Sequence, residues 1–263
     1  MVNLMKSRFF SAITLSVVGI ALSYLTACNN DSTPSSKREI IRLATSADNP
    51  PFEFHQTTTN QITGFDIELA YALAEELKVD LQIQDMDFVS IIPALLSGRA
   101  DFAMATLSVT KEREKIVTFS DVYYTAQPAS ISLKTVTFSN PTHFEGKNIG
   151  VQLGSSYEQM MKKIAQEVKD IKLRPLNKIG EIIQELKTER IDAAVIDIEP
   201  AKAYVKNSPD LHTNLIEGYQ ESYAIAFPKN SVWTKKFNQA LIVLKKNGKL
   251  DKLIAKWFAN NVS

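Results

Sequence analysis

Two successive runs of strand-length apolar segments alternating with amphipathic helices constrain this chain more than any other feature. Such alternation fits a largely parallel sheet covered by helices on both faces. The first run begins with 39–45 (EIIRLAT) as a strand, stopped by Ser46-Ala47-Asp48-Asn49-Pro50-Pro51, whose two prolines lack an N–H. Phe52 and Phe54 flank Glu53, one or both partly in the core, and 56–63 reads as an exposed hairpin connection. Gly64 introduces a helix with Phe65, Leu69, Leu73 and Leu77 on one stripe. Residues 79–84 alternate as a strand, 88–96 form a helix ended by Ser97-Gly98, and 100–105 form the next strand.

The second run repeats the order β, α, β, α, β. After Tyr123 and Tyr124 come a strand at 129–134 (ASISLK), a strand at 148–153 and the tight turn Gly154-Ser155-Ser156. Tyr157, Met160, Met161, Ile164 and Val168 then mark a helix, 172–175 a strand, 179–186 a helix, and 191–196 a strand ending at Asp197. No sequence repeat relates the two units, so they are two lobes and not a tandem array. Residues 221–228 read as one strand carrying the chain back. Trp233, Phe237, Leu241 and Leu244, then Leu250, Leu253, Ile254, Trp257 and Phe258, mark two closing helices with their aromatic stripes in the core.

In parallel sheets ligands bind beyond the carboxyl ends of the strands. Ser46 to Asn49 and Ala105 to Thr110 both lie at such ends, and they can converge on one cleft. Thr110 is a candidate helix N-cap, which puts Arg113 in the first helical turn, where the dipole disfavours a cation by up to about 1 kcal/mol. Two causes are open: an ion pair with Glu112, Glu114 or another surface acid, or capture of a small carboxylate by turn amides, the hydroxyls of Thr106 and Ser108, and the guanidinium fork. In the second lobe the Ser155-Ser156 turn offers donors. Asp197, at the end of an apolar strand, either caps the following helix or meets an ammonium. A carboxylate receiver on one lobe and an ammonium receiver on the other would together recognise an α-amino acid.

Composition removes several alternatives. Thirty Lys+Arg against 29 Asp+Glu, a formal net charge of +1, suggests no nucleic-acid partner. His55, His143 and His212 are isolated from one another and from the single cysteine, so no metal site is expected. The chain has no GxSxG elbow, P-loop or GxGxxG, so no cofactor is expected. At the N-terminus, Lys6 and Arg8 precede an apolar run from Phe9 to Leu25, then Leu25-Thr26-Ala27-Cys28. These are the parts of an export signal, with a transmembrane anchor as the alternative. The segment resembles the lipobox of bacterial lipoproteins, which implies cleavage before Cys28, lipidation there, and a flexible tether to Arg38.

The body from about Glu39 to Asn260 resembles the polar-amino-acid branch of the bacterial extracellular solute-binding proteins that feed ABC importers. The stretches that carry the likeness are 64–69 (GFDIEL), Phe88 with 92–95 (IPAL), 101–113 with 119–121 (FSD), and 191–197 (IDAAVID). The resemblance implies a two-lobed, periplasmic-binding-protein-like type II α/β fold, each lobe a mostly parallel sheet flanked by helices, with two crossing strands as hinge. Its parts would be a lipoprotein signal peptide at 1–27, a tether at 28–38, lobe 1 at 39–127 and 222–263, and lobe 2 at 128–221. Arg113 would grip the α-carboxylate, helped by Thr106, Ser108, Ser155 and Ser156, and Asp197 would take the α-amino group. Phe88 would wall the ligand and Gln152 contact it. Ser46 and Asn49 stand where binders of basic amino acids often have an acid and an aromatic lid; they would read the side chain, with Asp48 or Glu199 supplying negative charge.

The function implied is non-catalytic: a monomer, lipid-anchored on the extracytoplasmic face of the envelope, that closes on a polar or basic free L-amino acid, arginine or glutamine-like, and presents it to an ABC permease. The alternatives are a dehydratase-type enzyme or a sensory receptor on the same fold.

Overall fold

The computed structural model describes residues 38–206 and 208–258. The expected signal peptide, Cys28 and the expected tether up to residue 37 lie outside the described residues. The chain starts with β1 (Glu39–Thr45), the short β2 (Asp48–Asn49), β3 (Glu53–His55) and β4 (Ile62–Thr63), then α1 (Phe65–Leu77) and β5 (Val79–Asp85). A 3-10 turn at Phe88–Ser90 leads into α2 (Ile91–Leu96), β6 (Phe102–Ala103), α3 (Lys111–Glu114), β7 (Val117–Phe119) and β8 (Tyr124–Ala126). Next come β9 (Pro128–Leu133), β10 (Asn148–Gln152), α4 (Ser156–Glu167), β11 (Lys172–Leu176), α5 (Ile179–Lys187), β12 (Ala193–Asp197), α6 (Ile198–Val205) and β13 (Leu211–Leu215). Finally β14 (Glu221–Tyr223), β15 (Ala226–Pro228), α7 (Trp233–Lys246) and α8 (Lys249–Phe258) bring the chain back.

Two five-stranded sheets organise the body, in the orders β5-β1-β6-β15-β7 and β11-β10-β12-β9-β13. Parallel pairing is confined to the βαβ strands, β1 with β5 and β6, and β10 with β11 and β12. β15 and β7 add to the first sheet and β9 and β13 to the second, all antiparallel. Each sheet buries both faces, because its strands put successive side chains on opposite sides. In the first, Ile41, Leu43 and Phe102 meet the stripe of α1 and the aromatic residues of α7 and α8, while Ala44 and Ala103 meet Ile91 and Leu95 of α2. In the second, Ala194 and Ile196 meet Ile182 and Ile183 of α5, while Ala193 and Val195 meet Tyr157 and Met161 of α4.

Gly150 shows how closely the second sheet is covered: a Cβ there would lie 2.5 Å from Ile191 Cδ1 and 2.6 Å from Ile182 Cγ2. At Gly64 a left-handed φ of 128° and a Cβ position 2.1 Å from the Phe52 carbonyl oxygen both demand glycine, so α1 can start directly over the turn behind β2.

The expected strand 221–228 is two strands. Glu221–Tyr223 pairs antiparallel with β8, and after buried Ala224 and Ile225 the chain enters the first sheet as β15. The β8–β14 pair is the crossing between lobes. The expected strand 100–105 pairs only at Phe102–Ala103, and the expected helix 88–96 opens as a 3-10 turn.

Candidate functional site

Thr110 caps α3, its Oγ1 accepting from the Arg113 N–H at 3.2 Å. The cap fixes Arg113 in a single helical turn and aims its guanidinium into the space between the lobes. There it donates to the Ser108 carbonyl at 2.9 Å and, across the cleft, to the Gly154 carbonyl at 3.1 Å. Its Cζ stands 5.5 Å from the centre of the Phe88 ring, within the range of a cation–π contact. Neither Glu112 nor Glu114 is its partner; both are exposed and Arg113 is only 6 % exposed. Burial lowers its pKa to about 10. It stays a cation at neutral pH, and its planar fork of five donors can grip a carboxylate.

The opposite wall comes from lobe 2. Ser155 caps α4, accepting from the Glu158 N–H at 3.1 Å, while Glu158 accepts from the Gly154 N–H at 2.6 Å. The turn so pinned places Ser156 Oγ 3.0 Å from Ser108 Oγ on the other lobe. At the end of β12, Asp197 caps α6 through Oδ1, accepting from the Glu199 N–H at 3.4 Å. Its other oxygen accepts from the Tyr223 hydroxyl, which also lies 3.1 Å from the Tyr157 hydroxyl. Of the two readings of Asp197, the helix cap is present, and the residue also lines the cavity between the lobes. Burial raises its pKa to about 7, a rise that the Tyr223 hydrogen bond reduces.

Between these walls lies a cavity of about 20 Å³. Asn49, Phe88, Thr106, Gln152, Ser155, Ser156 and Asp197 line it, together with Tyr157, Ile179, Ile196 and Tyr223. It has room for a water molecule, whereas ligand pockets are typically about 300 Å³ or more. An amino acid enters only when the lobes part. Arg113 and Ser108 sit behind this wall, holding the lobes together by the bonds described above.

Ser46 does not reach the cavity. It is 1 % exposed, and its hydroxyl donates to Asp48 Oδ1 at 3.0 Å, because β1 ends by turning the side chain under Asp48. Asp48 instead clasps the lobes. Its Oδ2 accepts from the Ile179 N–H at the start of α5 at 2.8 Å and from Gln152 Nε2 at 3.2 Å, and its carbonyl accepts from the Tyr204 hydroxyl at 2.9 Å. Lys178 and Asp87 add an ion pair across the same edge at 3.2 Å. Glu199 is buried and pairs with Lys202 at 3.0 Å.

Below the cavity, Asn49 donates to Thr106 Oγ1 at 2.9 Å and to Glu53 Oε1 at 3.3 Å. Thr106 has a left-handed φ of 48°, unfavourable for a β-branched residue, and its N–H is held by Asp66 Oδ2 at 3.1 Å.

The expected site residues thus fall together except for Ser46. Tyr157 and Tyr223 are the additions, and a phenol inside an apolar stripe is the signal that could have found Tyr157, since a buried hydroxyl needs a partner.

Two sheet-based lobes joined by paired crossing strands, with a cation on one wall of the cleft and a buried acid on the other, define a receptor that closes on a small solute. Residues 41–260 match the family described as bacterial extracellular solute-binding proteins, family 3, and the chain belongs to it. It is 41% identical over 239 residues to the arginine-binding extracellular protein ArtP of Bacillus subtilis, covering 89% of this chain and 92% of that protein. A probable histidine-binding protein of Campylobacter jejuni is 29% identical over 264 residues, covering 95% and 98% of the two chains. Among solved structures, an ancestral arginine-binding protein bound to arginine superposes with a TM-score of 0.80 at 40% identity, over 84% of this chain and 99% of that one.

Proposed function

We propose that this protein captures a free L-α-amino acid between its lobes by hinge closure and delivers it to an ABC permease. The observation that carries the reading is the opposition of Arg113 and Asp197 across one cleft. The guanidinium receives the α-carboxylate, with the Ser108–Ser156 hydroxyls and the α4 turn beside it, and Asp197 receives the α-ammonium. Phe88, Ile179 and Ile196 supply apolar walls, while Asn49, Thr106 and Gln152 meet a polar side chain. A polar or basic ligand, arginine or glutamine-like, fits this lining, with Asp48 at its edge. Support comes from the arginine-bound ancestral protein and from a solved structure of an ancestral arginine-binding protein bound to glutamine, 41% identical over 84% of this chain and 98% of that one, TM-score 0.79.

In this reading 39–127 with 222–263 and 128–221 are the two bodies that move about β8 and β14. Cys28 carries the lipid that keeps the receptor, a monomer, at the extracytoplasmic membrane surface. The two acids that a dehydratase reading would use, Asp48 and Glu199, are engaged by Ile179, Gln152 and Lys202.

Isothermal titration with a panel of free amino acids tests the reading. One or more should bind 1:1, and Arg113→Ala should weaken that binding about 100-fold, the cost of leaving a desolvated carboxylate unpaired. Unaltered affinity in Arg113→Ala refutes it.

A further inference from the structure

Lobe 1 buries two acids that the capture chemistry does not use. Glu53 is 1 % exposed and Asp66 fully buried, and each has an oxygen, Glu53 Oε2 and Asp66 Oδ1, with no donor among the described residues. The two carboxyl groups are within hydrogen-bonding reach of each other. Two carboxylates cannot share a hydrogen bond; a carboxylic acid and a carboxylate can.

The remaining contacts say where the proton sits. Asp66 Oδ2 accepts twice, from the Thr106 N–H at 3.1 Å and from the Tyr123 hydroxyl at 2.8 Å, and Asp66 lies in the first turn of α1, where the dipole favours an anion. Glu53 Oε1 accepts only a long bond from Asn49, at 3.3 Å. Asp66 is therefore the carboxylate and Glu53 the acid. With Oε2–H donating to Asp66 Oδ1, both orphaned oxygens are satisfied. The other titratable groups facing the pair are Asp48, whose Oδ2 already accepts from Ile179 and Gln152, and Tyr123, whose hydroxyl donates to Asp66 Oδ2, so neither takes the place of the proton. Burial and the mutual repulsion of the two acids raise Glu53 well above the ordinary carboxylate range.

We propose that Glu53 and Asp66 are positioning residues that hold one proton between them and, through Asn49 and Thr106, fix the floor of the amino-acid site. Glu53 steers the Asn49 amide, Asp66 holds the strained Thr106 backbone, and Asn49 ties the two together at 2.9 Å. Removing the proton sets two anions against each other beneath the residues that face the ligand. The inference rests on the capture reading above.

The test uses the full chain, with L-arginine and L-glutamine as probes in calorimetry. Glu53→Ala and Asp66→Ala should each weaken binding by about tenfold or more, the latter by leaving the Thr106 N–H and the Tyr123 hydroxyl without their acceptor. Glu53→Gln, whose amide reproduces the acid's acceptor and donor, should rescue most of the loss. As the pH is raised above neutrality the wild type should lose affinity more steeply than Glu53→Gln; the ligand's own amine titrates identically in both. A ligand-independent readout keeps the two readings apart: the infrared carbonyl band of a protonated carboxylic acid, present at neutral pH in Asp197→Asn, where the Asp197 acid cannot contribute, and lost when Glu53→Gln is added. Absence of that band, or equal pH profiles, overturns the shared proton. Failure of the wild type to bind any amino acid overturns the capture reading and the positioning role with it.

Discussion

Lowering the pH should release the ligand, and Asp197 sets the magnitude. Its pKa is about 7 while Tyr223 is its partner, and an arriving ammonium can bond only to the ionised form. In the complex the ammonium holds the acid at or below the ordinary carboxylate range, so binding below pH 7 must expel a proton. About half the sites are ready at pH 7 and about 1 in 100 at pH 5, so the apparent Kd should rise about 50-fold, or about 2.3 kcal/mol. Calorimetry at pH 6 in two buffers of different ionisation enthalpy should register about 0.9 proton released per amino acid bound. Asp66, whose pKa is raised to about 6, could add its own acid limb, and Asp197→Asn separates the two, because only the Asp197 step vanishes in that variant. An affinity flat between pH 5 and pH 7, with no proton release, would refute the argument.

The same acid works against folding stability in the opposite direction. Its raised pKa stabilises the fold at acid pH, and that contribution is lost as pH rises through about 7, so Asp197→Asn should melt higher than wild type at pH 8 and not at pH 5, read by calorimetric scanning without ligand. Asp48→Ala removes the bonds to Ile179 and Gln152, about 1–3 kcal/mol of closure, and should enlarge the radius of gyration in X-ray scattering and speed ligand release; an unchanged scattering profile counts against the clasp. Gly150→Ala should cost about 1–3 kcal/mol in denaturant unfolding, because Ile182 and Ile191 must both move.

The helical stripes were legible because each repeats about every four residues and meets a sheet, as Phe65, Leu69 and Leu73 do against Ile41 and Leu43. The Thr110 cap and the misplaced cation at Arg113 could also be read, since both follow from the chemistry of one helical turn. Side-chain direction at strand ends could not. Ser46 and Asn49 stand three residues apart in one turn, yet only Asn49 reaches the cavity, and the path of the turn decides that. β13 escaped notice because Leu211–Leu215 is a polar edge strand, half open to solvent and without an alternating pattern. The acids Glu53 and Asp66 were visible inside apolar runs, but their meeting depends on β3 packing beside the start of α1.

Tyr223 stands on one of the two strands that cross between the lobes, and its hydroxyl also touches Asp197 and Tyr157. One codon therefore sets a residue of the joint and the hydrogen-bond partner of the acid proposed to meet the cargo. A lineage changing its nutrient by substitution around Asp197 would alter its opening equilibrium in the same step. Shifts in specificity within this architecture should accordingly travel with shifts in how long the receptor stays shut.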